Sequence, residues 1–166
     1  MPKKPYKLDQ VAIRMVKERP LLSDEPVNSP DKVVRLVHEL LKDYDREAFA
    51  VINFQTNLQP INMNIVSIGA LNASLAHPRE ILKSVVLSNA AAVMLIHNHP
   101  SGMVRPSEED KTVTAKLSQL LNLMEVNLID HIILGPEEQY YSFHENCEKS
   151  LSGEEPIHKK DKGWER

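Results

Sequence analysis

The sequence predicts an α/β domain in which helices flank a central mixed β-sheet. Apolar residues recur at helical spacing in three segments, and they alternate or run unbroken in five shorter ones. The two kinds of segment are interleaved in the order helix, strand, strand, helix, strand, helix, strand, strand, which is typical of a sheet covered by helices. The chain of 166 residues is long enough for one domain with its own core.

The first predicted helix begins at Ser29 and Pro30, because serine is a favoured N-cap and proline is favoured at the first helical position. Its apolar face consists of Val33, Val34, Leu36, Val37, Leu40, Leu41 and Tyr44. Residues 48–54 are then predicted as a strand, 55–58 as a turn and 59–68 as the hairpin partner of that strand.

The second predicted helix begins at His77 and Pro78. The residues expected to point inward from it are Ile81, Leu82, Val85 and Val86. Residues 91–96 follow as a short, continuous apolar run, which is the pattern of a strand buried on both faces of a sheet.

The third predicted helix runs from Ser107 to about residue 122. Ser107 has the residue type of an N-cap, acidic residues fill the first turn, and the apolar face consists of Val113, Leu117, Leu120 and Leu121. Residues 127–134 are predicted as a strand, Gly135-Pro136 as a turn, and 139–143 as the last strand.

The two ends of the chain differ from the domain predicted over residues 28–147. Residues 1–27 contain four prolines around a short helical pattern at 8–16, which indicates an arm. Such an arm could pack on the domain or swap between protomers, which would make a homodimer. Residues 148–166 are mostly polar and are expected to form a disordered tail.

Composition excludes several classes of protein. No stretch approaches the roughly 20 apolar residues that span a membrane, and the basic start lacks the apolar region of a secretory signal, so we expect a cytoplasmic protein without a membrane partner. The single cysteine, Cys147, excludes an internal disulfide and a cysteine-rich zinc site. A net charge of −3 argues against tight binding of nucleic acid.

The most informative segment is His97-Asn98-His99-Pro100-Ser101-Gly102, followed by Ser107-Glu108-Glu109-Asp110. On an extended chain His97 and His99 point to the same side, so both imidazoles can face one ion. Asp110, at the third position of the predicted helix, could reach back toward the end of the strand. Three such ligands with a fourth position open to water describe a catalytic zinc site, where the metal lowers the pKa of the water to about 7.

Each half of this motif has a simpler structural explanation. Ser-x-x-Asp at a helix start is a common capping arrangement, and a histidine at a strand end is usually a hydrogen-bonded polar residue. Only the complete ordered set favours a metal site. On the strand at 127–134, Asp130 and His131 face opposite sides, so one of them could support that site, although a purely structural role is an equal alternative.

The motif His97-x-His99-Pro100 followed by Ser107-x-x-Asp110 resembles the JAMM motif of MPN-domain metalloproteases. The surrounding sequence is similar to one bacterial branch, the RadC-like proteins. The matching segments are residues 67–74, His77-Pro78-Arg79-Glu80-Ile81, residues 97–102, residues 106–110, Asp130-His131-Ile132-Ile133 and Tyr141-Ser142-Phe143. The longer members add an N-terminal helix-hairpin-helix module, for which residues 1–27 are too short.

The resemblance implies a single MPN (JAB)-type domain with a cytidine-deaminase-like architecture. It implies zinc on His97, His99 and Asp110, with Ser107 stabilising the oxyanion. The general base of such proteins is a glutamate at the start of the first strand, which here is Glu47. Glu80 is the second choice, since the helix dipole already gives a carboxylate there a local reason to be present.

The expected function is therefore that of a zinc-dependent hydrolase of the metallopeptidase or isopeptidase type, acting on a protein or peptide substrate. Two alternatives stay open at the level of sequence. The domain could be a non-catalytic binding module on the same fold, or it could be a metal-dependent nuclease or an accessory protein of DNA repair.

Overall fold

The computed structural model describes residues 12, 14–18, 20, 30–41, 44–69, 77–137 and 139–153. Most of the predicted arm, the proposed N-cap Ser29 and the predicted tail beyond residue 153 lie outside this part. The elements are α1 (Pro30–Leu41), β1 (Glu47–Phe54), β2 (Pro60–Gly69), α2 (Pro78–Leu87), β3 (Ala92–Asn98), α3 (Glu108–Leu123), β4 (Asn127–Leu134), β5 (Tyr140–Ser142) and a 3-10 helix (Lys149–Ser152).

The five described strands form one sheet in the order β2-β1-β3-β4-β5. β3 and β4 are parallel, because α3 connects them as a crossover, and the other neighbours are antiparallel. The prediction of a mixed sheet flanked by helices is thus confirmed. β3 is the central strand, with β1 and β4 on its two sides, and seven of the eight residues of β1 and all seven of β3 are buried.

Apolar side chains cover both faces of the sheet. On one face, α1 contributes Val33, Val34, Val37 and Leu41 to a cluster with the strand residues Ala48, Ile52, Phe54, Ala92, Met94, Ile96, Ile132 and Leu134. On the other face, α2 and α3 contribute Ile81, Val85, Leu117 and Leu121 to a cluster with Phe49, Val51, Val93 and Leu95. The alternation of side chains along each strand therefore decides which helix each residue meets.

Three details differ from the sequence-based expectations. Val86 was expected to point inward but is 55% exposed, because Ile81 and Val85 already form the buried stripe of α2 and the next residue is rotated about 100° away. Tyr44, expected on the apolar face of the first helix, lies beyond the described bounds of α1 but packs against the cluster that covers this face of the sheet. β3 continues two residues beyond the predicted end at residue 96, so His97 lies inside the sheet.

The packed domain extends into the segment assigned to a polar tail from residue 148. The 3-10 helix Lys149–Ser152 lies against α3, where the Ser118 hydroxyl donates to the carbonyl of Leu151 (2.7 Å) and the Gln119 amide donates to that of Gly153 (2.8 Å). These bonds satisfy carbonyls that a disordered segment would leave to water. Within the described ranges, no helix is long and apolar enough to cross a membrane.

Candidate metal centre

Two strands and a turn hold the imidazoles of His97 and His99 at one end of the sheet. His97 pairs with Phe49 of β1 and Ile133 of β4, and the Phe49 ring stacks on its imidazole at 5.5 Å and 9°. The backbone N–H of His99 donates to the carbonyl of Leu134 (2.8 Å), which prolongs the path of β3. The Nδ1 atom of His99 is hydrogen-bonded to the carbonyl of Met103, so its Nε2 atom faces the site.

Asp110 enters the site from the first turn of α3. Ser107 is the N-cap, and its hydroxyl accepts from the Asp110 N–H (3.1 Å). In return, Asp110 Oδ2 accepts from the backbone N–H of Ser107 (2.7 Å) and from its hydroxyl (2.6 Å). This is the capping box that the sequence predicts, and it leaves Asp110 Oδ1 directed at the histidines.

The three predicted ligands converge on one point. The Nε2 atoms of His97 and His99 are 2.9 Å apart, His97 Nε2 is 3.2 Å from Asp110 Oδ1, and His99 Nε2 is 3.7 Å from Asp110 Oδ2. Zinc bonds of about 2.0–2.1 Å in a tetrahedron place neighbouring ligand atoms about 3.3 Å apart. The observed distances bracket that value, so the described residues can form a metal site.

Burial and charge suit a cation at this point. The side chains of His97 and Asp110 are 0% and 2% exposed, whereas that of His99 is 12% exposed, so the site opens on the His99 side. Burial raises the pKa of Asp110, but the contacts with His97 and Ser107 outweigh it and hold that pKa below its usual range. Asp110 therefore stays a carboxylate, which is the form that binds metal.

His131 supports the site from behind, whereas Asp130 does not reach it. The Nε2 atom of His131 is 2.9 Å from His97 Nδ1, and the ring is fully buried. Burial, followed by the neighbouring His97, lowers the pKa of His131 well below its usual value, so its ring is neutral. Asp130 instead accepts from the Ser142 hydroxyl (2.6 Å) and from the backbone of His144 (2.9 Å).

Glu47 is the first residue of β1 and lies on the same face of that strand as Phe49, whose partner is His97. The Asn98 side chain fixes this end of β1. Its Oδ1 accepts from the N–H of Ala48 (2.7 Å), and its Nδ2 donates to the carbonyl of Arg46 (3.2 Å), so both backbone neighbours of Glu47 are held.

Glu80, the second choice for a base, is engaged elsewhere. It lies on the surface of α2, where its carboxylate accepts from Lys83 Nζ at 2.6 Å. The hydrogen bond and charge of Lys83 lower the pKa of Glu80, whereas a general base at neutral pH needs a raised value.

Sequence reasoning missed the contacts of Asn98 and those of Thr114, whose hydroxyl lies 2.6 Å from His131 Nδ1 and 2.6 Å from the carbonyl oxygen of Asp110. Asn98 stands between the two histidines, but only the register of β1 against β3 shows that its amide reaches the main chain of β1. Thr114 carried a readable signal, since it lies four residues after Asp110 and hence on the same face of α3.

Comparisons with known proteins identify the family of this chain. The family model described as "RadC-like JAB domain" matches residues 27–149. The chain belongs to the RadC-like JAB domain family. Curated relatives of this RadC-like domain include UPF0758 proteins of Desulfitobacterium hafniense (40% identical over 119 residues, 72% of this chain and 52% of the relative) and Haemophilus influenzae (38% over 127 residues, 76% and 57%). A third, from Methanosarcina mazei, is 40% identical over 109 residues, 66% of this chain and 48% of the relative.

The RadC-like chain spans about half the length of the curated relatives that it matches. Its fold is that of a single JAB-type domain with a mixed five-stranded sheet and three α-helices in the described part. The site formed by His97, His99 and Asp110 lies within the matched residues.

Proposed function

We propose that this RadC-like domain is a zinc-dependent hydrolase that cleaves amide bonds, either in peptides or in isopeptide linkages to lysine. The observation that carries the proposal is the convergence of two imidazole nitrogens and one buried carboxylate oxygen on one point that opens toward solvent. Nitrogen and carboxylate ligands of this kind, with a place left for water, form the donor set of catalytic zinc.

Zinc held by His97, His99 and Asp110 would lower the pKa of a water molecule and polarise the carbonyl under attack. Glu47, at the end of β1 that Asn98 clamps, accepts the proton of the water and passes it to the leaving nitrogen. A carboxylate in this role must stand within hydrogen-bond reach of the water, and the position of Glu47 on the face of β1 shared with Phe49 supports this assignment.

Ser107 is assigned to the oxyanion that forms when the carbonyl is attacked. Its hydroxyl is at the exposed rim and donates to Asp110 Oδ2, to which the Ser107 backbone N–H also donates. The hydroxyl proton can therefore turn to an oxyanion while Asp110 keeps a hydrogen-bond donor. A donor aimed at developing charge contributes strongly to catalysis of this type.

The test is cleavage of a peptide library and of lysine isopeptides by the zinc-loaded chain. We expect turnover by the unmodified chain and by Glu80→Gln, and a loss of at least 100-fold in Glu47→Gln with zinc still bound. Equal turnover by Glu47→Gln would refute the assignment of the base. Zinc binding without any cleavage would favour the non-catalytic module, and salt-sensitive binding of duplex DNA would favour the role in DNA repair.

A further inference from the structure

The described residues contain a closed ring of polar contacts that joins two proposed metal ligands, His97 and Asp110, through the side chains of His131 and Thr114. His97 Nδ1 is 2.9 Å from His131 Nε2, and His131 Nδ1 is 2.6 Å from the Thr114 hydroxyl. That hydroxyl is 2.6 Å from the carbonyl oxygen of Asp110, whose Oδ1 is 3.2 Å from His97 Nε2. The ring thus connects β3, β4 and α3.

Only one arrangement of hydrogens satisfies every contact of this ring when His97 Nε2 binds a metal. A carbonyl oxygen cannot donate, so the Thr114 hydroxyl donates to the carbonyl of Asp110. Its oxygen then accepts from His131 Nδ1–H, and the free Nε2 of His131 accepts from His97 Nδ1–H. The reverse order would leave the oxygens of Thr114 and Asp110 2.6 Å apart with no hydrogen between them.

We propose that His131 and Thr114 are positioning residues that hold His97 in the ring form whose Nε2 lone pair binds the metal. They also fix the separation between His97 and Asp110, because the same ring ties the strand ligand to the backbone of the helix ligand. A metal-bound histidine needs an acceptor for its other N–H, and loss of that acceptor commonly weakens metal binding 10–100-fold.

The surroundings of His131 keep water out, so water cannot replace a hydrogen-bond partner that is lost there. The ring of His131 is fully buried. Its centroid lies 4.8 Å from that of the stacked Phe143 ring and 5.5 Å from that of the Phe49 ring. Thr114 is also fully buried. If either residue loses its polar atoms, the N–H that faced it stays unpaired in an apolar site, which costs far more than the same loss at a surface.

The test is the zinc dissociation constant, measured by competition with a chromogenic chelator, of matched variants that keep the shape of the site. Thr114→Val removes the hydroxyl at nearly constant volume, whereas Thr114→Ser keeps it. His131→Phe keeps the aromatic packing without an acceptor, whereas the amide oxygen of His131→Gln restores one. We expect Thr114→Val and His131→Phe to bind zinc at least 10-fold more weakly, and the two partner variants to stay within about 5-fold of the unmodified chain.

A second measurement separates positioning from a loss of fold. Nitrogen-15 and proton correlations of the imidazole rings in the zinc-loaded chain should place protons on Nδ1 of both His97 and His131, and Thr114→Val should shift the His131 signals. Thermal unfolding of each zinc-free variant checks that it is folded. A proton on His131 Nε2, or equal zinc affinity in the valine and serine variants, would overturn the proposal.

This inference depends on the proposed function only for the metal and not for cleavage. If the affinities follow the expected order while no amide substrate is cleaved, the positioning ring stands and the proposed hydrolysis fails. If the unmodified chain binds no zinc, both fail.

Discussion

Asn98→Ala should destabilise the fold at the start of β1, where the Asn98 side chain makes the hydrogen bonds that β3 would otherwise provide on that side of β1. The ladder between β1 and β3 ends at Phe49 and His97, and beyond it the amide of Asn98 accepts from Ala48 and donates to Arg46. Asn98 is 7% exposed and Ala48 is fully buried, so water does not readily replace these bonds.

The magnitude follows from the two bonds. Losing the 2.7 Å bond leaves the buried N–H of Ala48 unpaired, which costs about 1–3 kcal/mol, and losing the 3.2 Å bond to Arg46 adds about 0.5–1.5 kcal/mol. We therefore expect Asn98→Ala to lower the free energy of unfolding by about 1.5–4.5 kcal/mol. Asn98→Asp keeps the acceptor for Ala48 but turns a carboxylate oxygen toward the Arg46 carbonyl in a nearly buried position, so it should not recover the lost stability at neutral pH.

Urea unfolding of the zinc-free chain measures these differences, because the metal then contributes nothing to stability. Asn122→Ala is the matched control: it lies on the exposed side of α3 and should change stability by less than about 0.5 kcal/mol. If Asn98→Ala costs no more than this control, the clamp on β1 is wrong.

Three further changes test separate parts of the structure. Burial raises the pKa of Asp130, so the native state binds its proton more tightly than the unfolded chain does. The free energy of unfolding should therefore fall, relative to that of Asp130→Asn, as the pH rises from 3.8 through the native pKa. Asp130→Asn keeps the side-chain oxygen that accepts from the backbone N–H groups of His131 and His144, whereas Asp130→Leu removes it and should cost more than about 3 kcal/mol in urea unfolding. Ser107→Ala should lower the free energy of unfolding by about 1–2 kcal/mol, because the helix cap is lost, and should weaken zinc binding through Asp110. Ser107→Thr should restore both the stability and the zinc affinity, which urea unfolding and zinc competition measure. A Cβ on Gly135 would lie 2.6 Å from Val104 Cγ1, so Gly135→Ala should lower stability by about 1–3 kcal/mol. Adding Val104→Ala to that variant should recover most of the loss. If Gly135→Ala alone is as stable as the unmodified chain in thermal unfolding, the close contact is contradicted.

The fold and the clustering of His97, His99 and Asp110 could be predicted from sequence, because the fold depends on local and periodic signals and the cluster matches a known motif. The alternation of apolar residues gave the strands, and the helical spacing gave the three helices with boundaries that differ by only a few residues. The capping box at Ser107 and Asp110 is a local arrangement, so its geometry follows from the spacing of two residues. Placing that helix end beside His97 and His99 required the resemblance to a known motif.

From sequence, Asp130 and His131 were alternative candidates for supporting the site, and the contacts of Asn98 were not foreseen, because both depend on which strands pair and in what register. His131 reaches His97 only because β3 and β4 are parallel neighbours, and Asn98 reaches β1 only because of the antiparallel register there. For Val86 the prediction was wrong in the other direction. Its hydrophobicity favoured burial, but only the face of α2 that carries Ile81 and Val85 packs against the sheet.

The location of a zinc ion in crystals of the unmodified chain would show whether His97, His99 and Asp110 are metal ligands. An anomalous difference map recorded at the zinc absorption edge would show the ion without reference to any substrate. The proposed ligand set predicts one peak per chain, about 2.0–2.2 Å from Nε2 of His97, Nε2 of His99 and a carboxylate oxygen of Asp110. A peak bound by His131 or by Glu80, or no peak in the presence of excess zinc, would contradict it.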